Sequence, residues 1–352
     1  MFSNKRILVT GGTGSLGKVF IRRLLTGKWG KPAKITVLSR DEAKQHFMRV
    51  EYQQKKSPTD EVIYNNFKQI LEFVIGDMRD YHTVCAALRK ADIVINAAAL
   101  KQVPSCEYFP FEAVRTNIGA AENIVRALEE HEYPVSTVVG VSTDKACKPV
   151  NVMGMTKALQ ERIFTSGNLR SSRTRFVCVR YGNVLASRGS VIPLFHEQIL
   201  NGGPVTITTS DMTRFLLSLE DAVDTIFTAI KRGERGDTFV PIVPSAKMID
   251  VAEVLIGNKK IDVQVTGIRP GEKVNEILVS EEEAVRTVKS GGYYVIKPIL
   301  PEIRAKFSTR KALNREYSSA ENTMSKAALL KLLKKHRLLV GDRLVFEGET
   351  LR

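Results

Sequence analysis

The chain has 352 residues, 43% of them hydrophobic and 26% charged, and its 53 Lys and Arg against 38 Asp and Glu give a net charge of +15. This is globular composition, long enough for two or three domain-sized units. No run of about 18 uncharged apolar residues is available to span a membrane, and no nucleic-acid module or aromatic-interleaved basic stretch accompanies the positive charge, which reads as a solvated surface thickened over residues 304–343.

After a few mixed residues the chain enters R-I-L-V-T-G-G, a first strand rather than a secretory signal, so a cytoplasmic location is expected. Apolar runs predict strands at 7–10, 34–38, 71–75, 93–96, 137–141 and 176–180. Amphipathic stretches at 19–25, 81–89, 112–130 and 154–165 predict helices between them. Strand and helix in alternation imply a parallel sheet covered on both faces, and glycines directly after the first strand make it a Rossmann-type, doubly wound α/β fold. Residues 52–70 interrupt the rhythm; being polar and carrying Pro58, they read as an insertion or a lengthened helix on the surface.

Beyond residue 189 the alternation becomes irregular, with short strands at 205–208, 238–242, 263–267 and 293–296 among helices at 219–231 and 249–255. The expected division is a dinucleotide-binding domain over 1–188 to which some later segments return, a smaller mixed α/β substrate lobe over 189–300, and a basic extension over 301–352 with an amphipathic helix near 325–336. Cys85, Cys106, Cys147 and Cys178 show neither C-x-x-C spacing nor paired histidines, so neither a metal site nor a disulfide framework is expected.

The segment T-G-G-T-G-S-L-G puts Gly11, Gly14 and Gly17, with Thr13, Ser15 and Leu16, between a strand and a helix. There the glycines allow a tight turn and bring backbone N–H groups up to a dinucleotide pyrophosphate. The second strand ends L-S-R-D-E-A-K, so Ser39 and Arg40 arrive first and Lys44 one turn later. A hydroxyl and cations suit a 2′-phosphate, which favours NADP over NAD, although Asp41 stands close by. After the third strand Asp77 and Met78 fall where an adenine would lie; after the fourth, Ala97, Ala98 and Ala99 are small residues beside the cofactor.

G-G-T-G-S-L-G, G-D-M-R-D and N-A-A-A resemble the extended short-chain dehydrogenases/reductases. A narrower resemblance lies in A-A-A-L-K-Q-V-P-S-C-E-Y-F-P, V-S-T-D-K-A-C-K-P-V-N-V-M-G-M-T-K, R-Y-G-N-V-L-A-S-R-G-S-V-I-P-L-F, D-M-T-R-F and G-I-R-P-G-E-K. These look like the capsule- and flagellin-type UDP-N-acetylglucosamine 4,6-dehydratases, nearest to the C5-inverting capsule enzymes. The resemblance implies NADP as cofactor, UDP-N-acetylglucosamine as substrate and a homo-oligomer, dimer or hexamer. It makes Asp144 the acid for the C6 hydroxyl and Lys145 the base at C5, beside Thr143. Both roles require tuning, because an ordinary Asp is ionised and an ordinary Lys protonated at neutral pH.

Where the superfamily carries Tyr-x-x-x-Lys, this chain has Met153 and Lys157, and methionine has no proton to exchange. By the same resemblance Asn117 supports the active-site lysine, and Tyr181 and Asn183 lie by nicotinamide or substrate. Lys101, Arg188, Arg214, Arg269 and Glu272 are candidates for the UDP moiety, since arginines clamp phosphate oxygens and a carboxylate accepts from ribose hydroxyls. Cys106 lines the pocket or simply packs. The leading reading is a C5-inverting dehydratase for surface polysaccharide. A C5-retaining dehydratase and an NADP-binding redox sensor without turnover compete with it, and a simple 4-epimerase would have no use for Asp144 and Lys145.

Overall fold

In a computed structural model of the chain, which describes residues 1–53, 58–185, 190–304 and 311–342, the first half follows the strand–helix alternation. It runs β1 (Arg6–Thr10), α1 (Ser15–Leu25), β2 (Lys34–Ser39), α2 (Glu42–Gln53), α3 (Pro58–Ile70), β3 (Leu71–Ile75), α4 (Tyr81–Leu88) and β4 (Ile93–Asn96). Two short helices, α5 (Val103–Tyr108) and α6 (Pro110–Ala113), lead through a π-turn at Val114–Gly119 into α7 (Ala120–Glu130). Then come β5 (Thr137–Thr143), a 3₁₀ turn at Asp144–Ala146, α8 (Val152–Arg170) and β6 (Arg175–Tyr181).

The second half holds α9 (Val191–Leu200), β7 (Val205–Ile207), β8 (Thr213–Phe215), α10 (Leu219–Arg232), β9 (Thr238–Pro241), β10 (Ser245–Lys247), α11 (Met248–Ile256) and β11 (Val263–Val265). It ends with β12 (Ile277–Val279), α12 (Glu281–Ala284), β13 (Thr287–Ser290), β14 (Tyr293–Ile296), β15 (Tyr317–Ser318) and α13 (Lys326–Lys335).

The main sheet has nine strands in the order β13-β14-β9-β6-β5-β4-β1-β2-β3. From β3 to β9 all neighbours are parallel, and β14 and β13 close the far edge antiparallel. Period-2 alternation sends Ile7 and Val9 to one face and Leu8 to the other, and likewise Ile93 and Ile95 against Val94. One face is covered by α1, α2, α3 and α10, the other by α4, α7 and α8. The chain reverses direction across the sheet between β1 and β4, which opens a crevice at the carboxyl ends of these strands.

One difference from the sequence reading has a physical cause. Residues 58–70 form a helix whose Ile63, Phe67 and Ile70 are buried in the sheet's core. Their 4- and 3-residue spacing sets them on one helical face, worth roughly 1.5–3 kcal/mol for each fully buried side chain. The segments at 238–241 and 293–296 join the main sheet. A separate apolar core gathers α9, β7, α11 and α13, with Leu329 and Leu333 of the basic C-terminal stretch fully buried in it.

Candidate active site

The glycine loop is shaped by close contacts on one side and open on the other. Gly11 has φ +66°, and a Cβ there would sit 2.7 Å from the Ala98 nitrogen; one on Gly17 would sit 2.5 Å from Gly12 Cα. At Gly14 the nearest atom to such a Cβ is Gly11 O at 3.4 Å, so this glycine leaves space rather than filling a contact. Gly14 is also the N-cap of α1, and no side chain caps that helix end. Uncapped N–H groups at a helix N-terminus beside open space fit a dinucleotide pyrophosphate.

Around the loop, Thr10 donates its hydroxyl to Asn96 Oδ1 at 2.8 Å and accepts from the Ala98 N–H at 3.2 Å, fixing Ala97–Ala99 over β1. The Thr13 and Ser39 hydroxyls lie 3.2 Å apart, tying the loop to the end of β2. Arg40 is half exposed and 3.4 Å from Asp77 Oδ2, and Lys44 is 3.1 Å from Asp41 Oδ2. Burial works to raise the Asp77 carboxyl, but Arg79 and Arg40 hold it below the usual carboxylate range. Met78 is buried, and its carbonyl accepts from Asn123.

The 3₁₀ turn after β5 carries the acid–base candidates. Asp144 is fully buried; its Oδ1 accepts from the Thr143 hydroxyl at 2.8 Å and from Lys145 Nζ at 3.1 Å. Lys145 Nζ also donates to Glu276 Oε1 at 3.1 Å and to Asn183 Oδ1 at 3.4 Å. Burial alone would lower the lysine pKa, but the carboxylates of Asp144 and Glu276 outweigh it and hold the ammonium above its ordinary value. Asp144 Oδ2 and Glu276 Oε2 are buried without a hydrogen-bond partner among the described residues.

A buried ionic network supports this turn. Ser142 donates to Glu161, while Arg180 binds Glu161 and reaches Glu283 with contacts of 2.7 and 2.9 Å. Burial opposes the Glu283 charge, but Arg180 dominates and depresses its pKa to about 2. The Cys147 thiol, 3.8 Å from Glu283, is pushed up to about 12 by burial.

On α8, Asn151 caps the helix by accepting from the Gly154 N–H at 2.8 Å. Met153 is buried with Cys106 and Ala113, so Cys106 packs inside a small apolar cluster and burial raises its thiol pKa. Lys157 donates to Val141 O and Gln160 Oε1, each at 2.6 Å, and burial lowers its pKa to about 8. Asn117, inside the π-turn, accepts from the Leu100 N–H at 2.8 Å and donates at 2.9 Å to Oγ1 of Thr156, the residue before Lys157. It fixes the loop after β4 against α8, and a π-turn in mid-helix often marks such a site.

Tyr181 is buried at the end of β6, where burial raises its phenol pKa. Arg214 is buried too and donates to the carbonyls of Thr213, Lys273 and Val274. It lies 3.5 Å from Glu272 and 3.8 Å from Glu276, bridging both. Glu272 also accepts from Thr208. Lys101 and Arg269 are exposed at the surface, and Arg188 falls outside the described residues.

Sequence reasoning missed Glu276 and Lys273. Both stand just beyond G-I-R-P-G-E-K or at its last position, and a second glutamate four residues after Glu272 was the available signal. Lys273 donates to Cys147 O at 2.6 Å, so this segment is tied directly to the end of the 3₁₀ turn that carries Asp144 and Lys145.

A family model described as polysaccharide biosynthesis protein matches residues 7–298. A UDP-glucose 4-epimerase of Rickettsia bellii (strain OSU 85-389) is 44% identical over 302 residues, 84% of each chain. The inverting UDP-N-acetylglucosamine 4,6-dehydratase of Campylobacter jejuni (serotype O:2) is 41% identical over 301 residues, 85% of this chain and 84% of that one. Among solved structures, Pen from Bacillus thuringiensis superimposes with a TM-score of 0.84 at 33% identity, covering 96% of this chain and 100% of its own. Among the described residues no helix is long and apolar enough to cross a membrane, and no cluster of His, Cys, Asp and Glu could hold a metal ion.

Proposed function

The chain belongs to the polysaccharide biosynthesis protein family, and from that premise we propose that it is an NADP-dependent dehydratase converting UDP-N-acetylglucosamine to a UDP-4-keto-6-deoxy-N-acetylhexosamine with inversion at C5. Membership places it among nucleotide-sugar dehydratases and epimerases of the extended short-chain dehydrogenase type. The observation that carries the choice between them is the Asp144–Lys145 contact of 3.1 Å. An epimerase works at C4 alone, whereas a 4,6-elimination needs an acid at the C6 oxygen and a base at C5.

Gly11, Gly14 and Gly17 and the uncapped start of α1 would hold the pyrophosphate, and Ser39, Arg40 and Lys44 the 2′-phosphate. Bound NADP+ supplies the hydride acceptor for C4 and the donor for C6. Passage of one proton from Lys145 Nζ to Asp144 Oδ1 turns the resting ion pair into an amine and a carboxylic acid. The amine then takes the C5 proton while the acid protonates the departing C6 hydroxyl, which restores ammonium and carboxylate. Met153 cannot take the C4 hydroxyl proton, so that task falls to another group of the site.

Lys101, Arg269 and Glu272, with Arg188, are proposed to meet the UDP moiety, and Arg214 to serve it by orienting Glu272. A homo-oligomer belongs to the same reading. Its support is the exposed apolar side chains of Tyr108, Phe109, Phe111, Met155 and Leu159 along α5, α6 and α8.

The test is proton NMR of the protein with UDP-N-acetylglucosamine in D2O. A C6 methyl signal with deuterium at C5 supports the dehydratase, and its couplings assign inversion or retention. A 4-epimer without a methyl signal, from this substrate or UDP-glucose, replaces it with the activity for which the Rickettsia relative is named. Unchanged UDP-hexoses with NADP bound leave the sensor.

A further inference from the structure

We propose that Glu276 is the positioning residue of the acid–base pair: anchored by Arg214 and Ser319, its carboxylate holds the Lys145 amine beside Asp144 and governs how readily that amine gives up its proton. The inference rests on the dehydratase reading for its consequence in turnover, but its geometry stands apart from the reaction.

Glu276 is 2% exposed. Its backbone N–H donates to Ser319 Oγ at 2.9 Å, and its carbonyl accepts from the Ser319 N–H at 2.8 Å. Oε1 receives Lys145 Nζ at 3.1 Å and lies 3.8 Å from Arg214 Nε. The Lys145 nitrogen thus has three acceptors, Asp144, Glu276 and Asn183, for the three N–H bonds of an ammonium. When Asp144 carries one proton away, Glu276 and Asn183 remain to hold the amine.

The charges facing Lys145 come from three places: Asp144 beside it on the turn, Glu276 and Lys273 from the segment before β12, and Arg214 from β8. The two carboxylates favour the ammonium, and Arg214 opposes it. Glu276 and Arg214 are therefore a matched pair of opposite sign acting on one nitrogen. Removing either changes the lysine in opposite directions, which mere loosening of the site would not do.

The experiment is competitive acetylation of the full-length protein with trace acetic anhydride between pH 7 and 10, reading the Lys145 peptide by mass spectrometry. It requires no turnover. In Glu276→Gln the reactivity of Lys145 at fixed pH rises about tenfold, for a carboxylate within about 4–6 Å moves a pKa by 1–3 units. In Arg214→Met it falls, and in Glu276→Asp it stays near wild type. Thermal unfolding checks each variant, and the Asp variant keeps the test decisive if Arg214→Met does not fold.

Parallel assays with UDP-N-acetylglucosamine should move the acid limb of the kcat profile to lower pH in Glu276→Gln, with KM within threefold. Equal Lys145 reactivity in wild type and Glu276→Gln, or a rise in both Glu276→Gln and Arg214→Met, overturns the proposal. The expected reactivity changes with no methyl product from wild type would leave the Glu276–Lys145 coupling standing and remove the dehydratase reading instead.

Discussion

The first turn of α8 sets Gly154 against the carbonyl oxygen of Lys145 so closely that a Cβ has no room between them. The helix that carries Met153 and Lys157 and the turn that carries Asp144 and Lys145 are therefore in backbone contact, and the side chain omitted at 154 fixes their spacing. Gly154→Ala must push the two apart. Overpacking of this kind costs about 1–3 kcal/mol, and a displacement near 1 Å at an acid–base pair costs on the order of 10²-fold in rate. Chemical unfolding and single-turnover dehydration should show both losses, with NADP+ affinity within a few-fold of wild type. Unaltered turnover would mean that the turn accommodates the methyl.

The glycine loop separates packing from binding. Gly17→Ala places a methyl 2.5 Å from Gly12 Cα and should lower the unfolding temperature as well as cofactor affinity. Gly14→Ala meets nothing nearer than 3.4 Å, so its unfolding temperature should stay close to wild type. NADP+ binding by fluorescence titration should still weaken at least tenfold, because the methyl occupies the space where the pyrophosphate must approach. Full binding in Gly14→Ala would place the pyrophosphate elsewhere.

Lys157 is predicted to limit stability at neutral pH. Its folded pKa of about 8 lies below the unfolded value of about 10.4. Below pH 8 both states bind the proton, and the cost of burying the charge is complete. Between about 8 and 10.4 only the unfolded chain binds it, so stability rises with pH through that window. Lys157→Met should abolish that rise, flattening the urea-unfolding profile by roughly 3 kcal/mol, while leaving stability at pH 7 no lower than wild type. A variant whose profile parallels wild type would show that Lys157 keeps an ordinary pKa.

Glu283 works in the opposite sense at the acid end. Its folded pKa of about 2 lies below the unfolded value of about 4.3. Its bond to Arg180 contributes fully above pH 4.3 and is lost as the pH falls towards 2. Glu283→Gln leaves Arg180 with the Glu161 carboxylate and the Leu278 carbonyl and should cost about 3–5 kcal/mol at pH 7. Its deficit against wild type should narrow by roughly 3 kcal/mol between pH 5 and pH 2. A constant deficit would assign the acid sensitivity to other carboxylates.

The strands of the sheet were legible because both faces are covered, which leaves nearly continuous apolar runs such as I-V-I-N at β4. The glycine loop and the Asp144–Lys145 dipeptide were legible because each is a contiguous run directly after a strand. A helix over 58–70 was one of the two readings open, but its burial was not legible, since Pro58 and a polar surround masked the single face of Ile63, Phe67 and Ile70. The bonds Asn117 makes, to Leu100 and to Thr156 beside Lys157, were not legible, because the π-turn that decides what it faces has no clear sequence signal. Glu276 was passed over for a simpler reason. It meets Lys145 across 131 residues of chain, and no local pattern encodes a contact of that span.

The Glu276–Ser319 contact also bears on how the protein is made. Synthesis is vectorial, and domains generally fold N-terminal first as they leave the ribosome. The glycine loop, β1 to β6 and the Asp144–Lys145 turn are all complete by residue 181, almost a hundred residues before Glu276 is added. During that interval Lys145 has Asp144 but lacks its second carboxylate. Glu276 then waits a further stretch for Ser319 to brace its backbone. A nascent or C-terminally clipped chain can therefore present a finished glycine loop while Lys145 still lacks Glu276, so capture on a nucleotide resin is no certificate of a completed site.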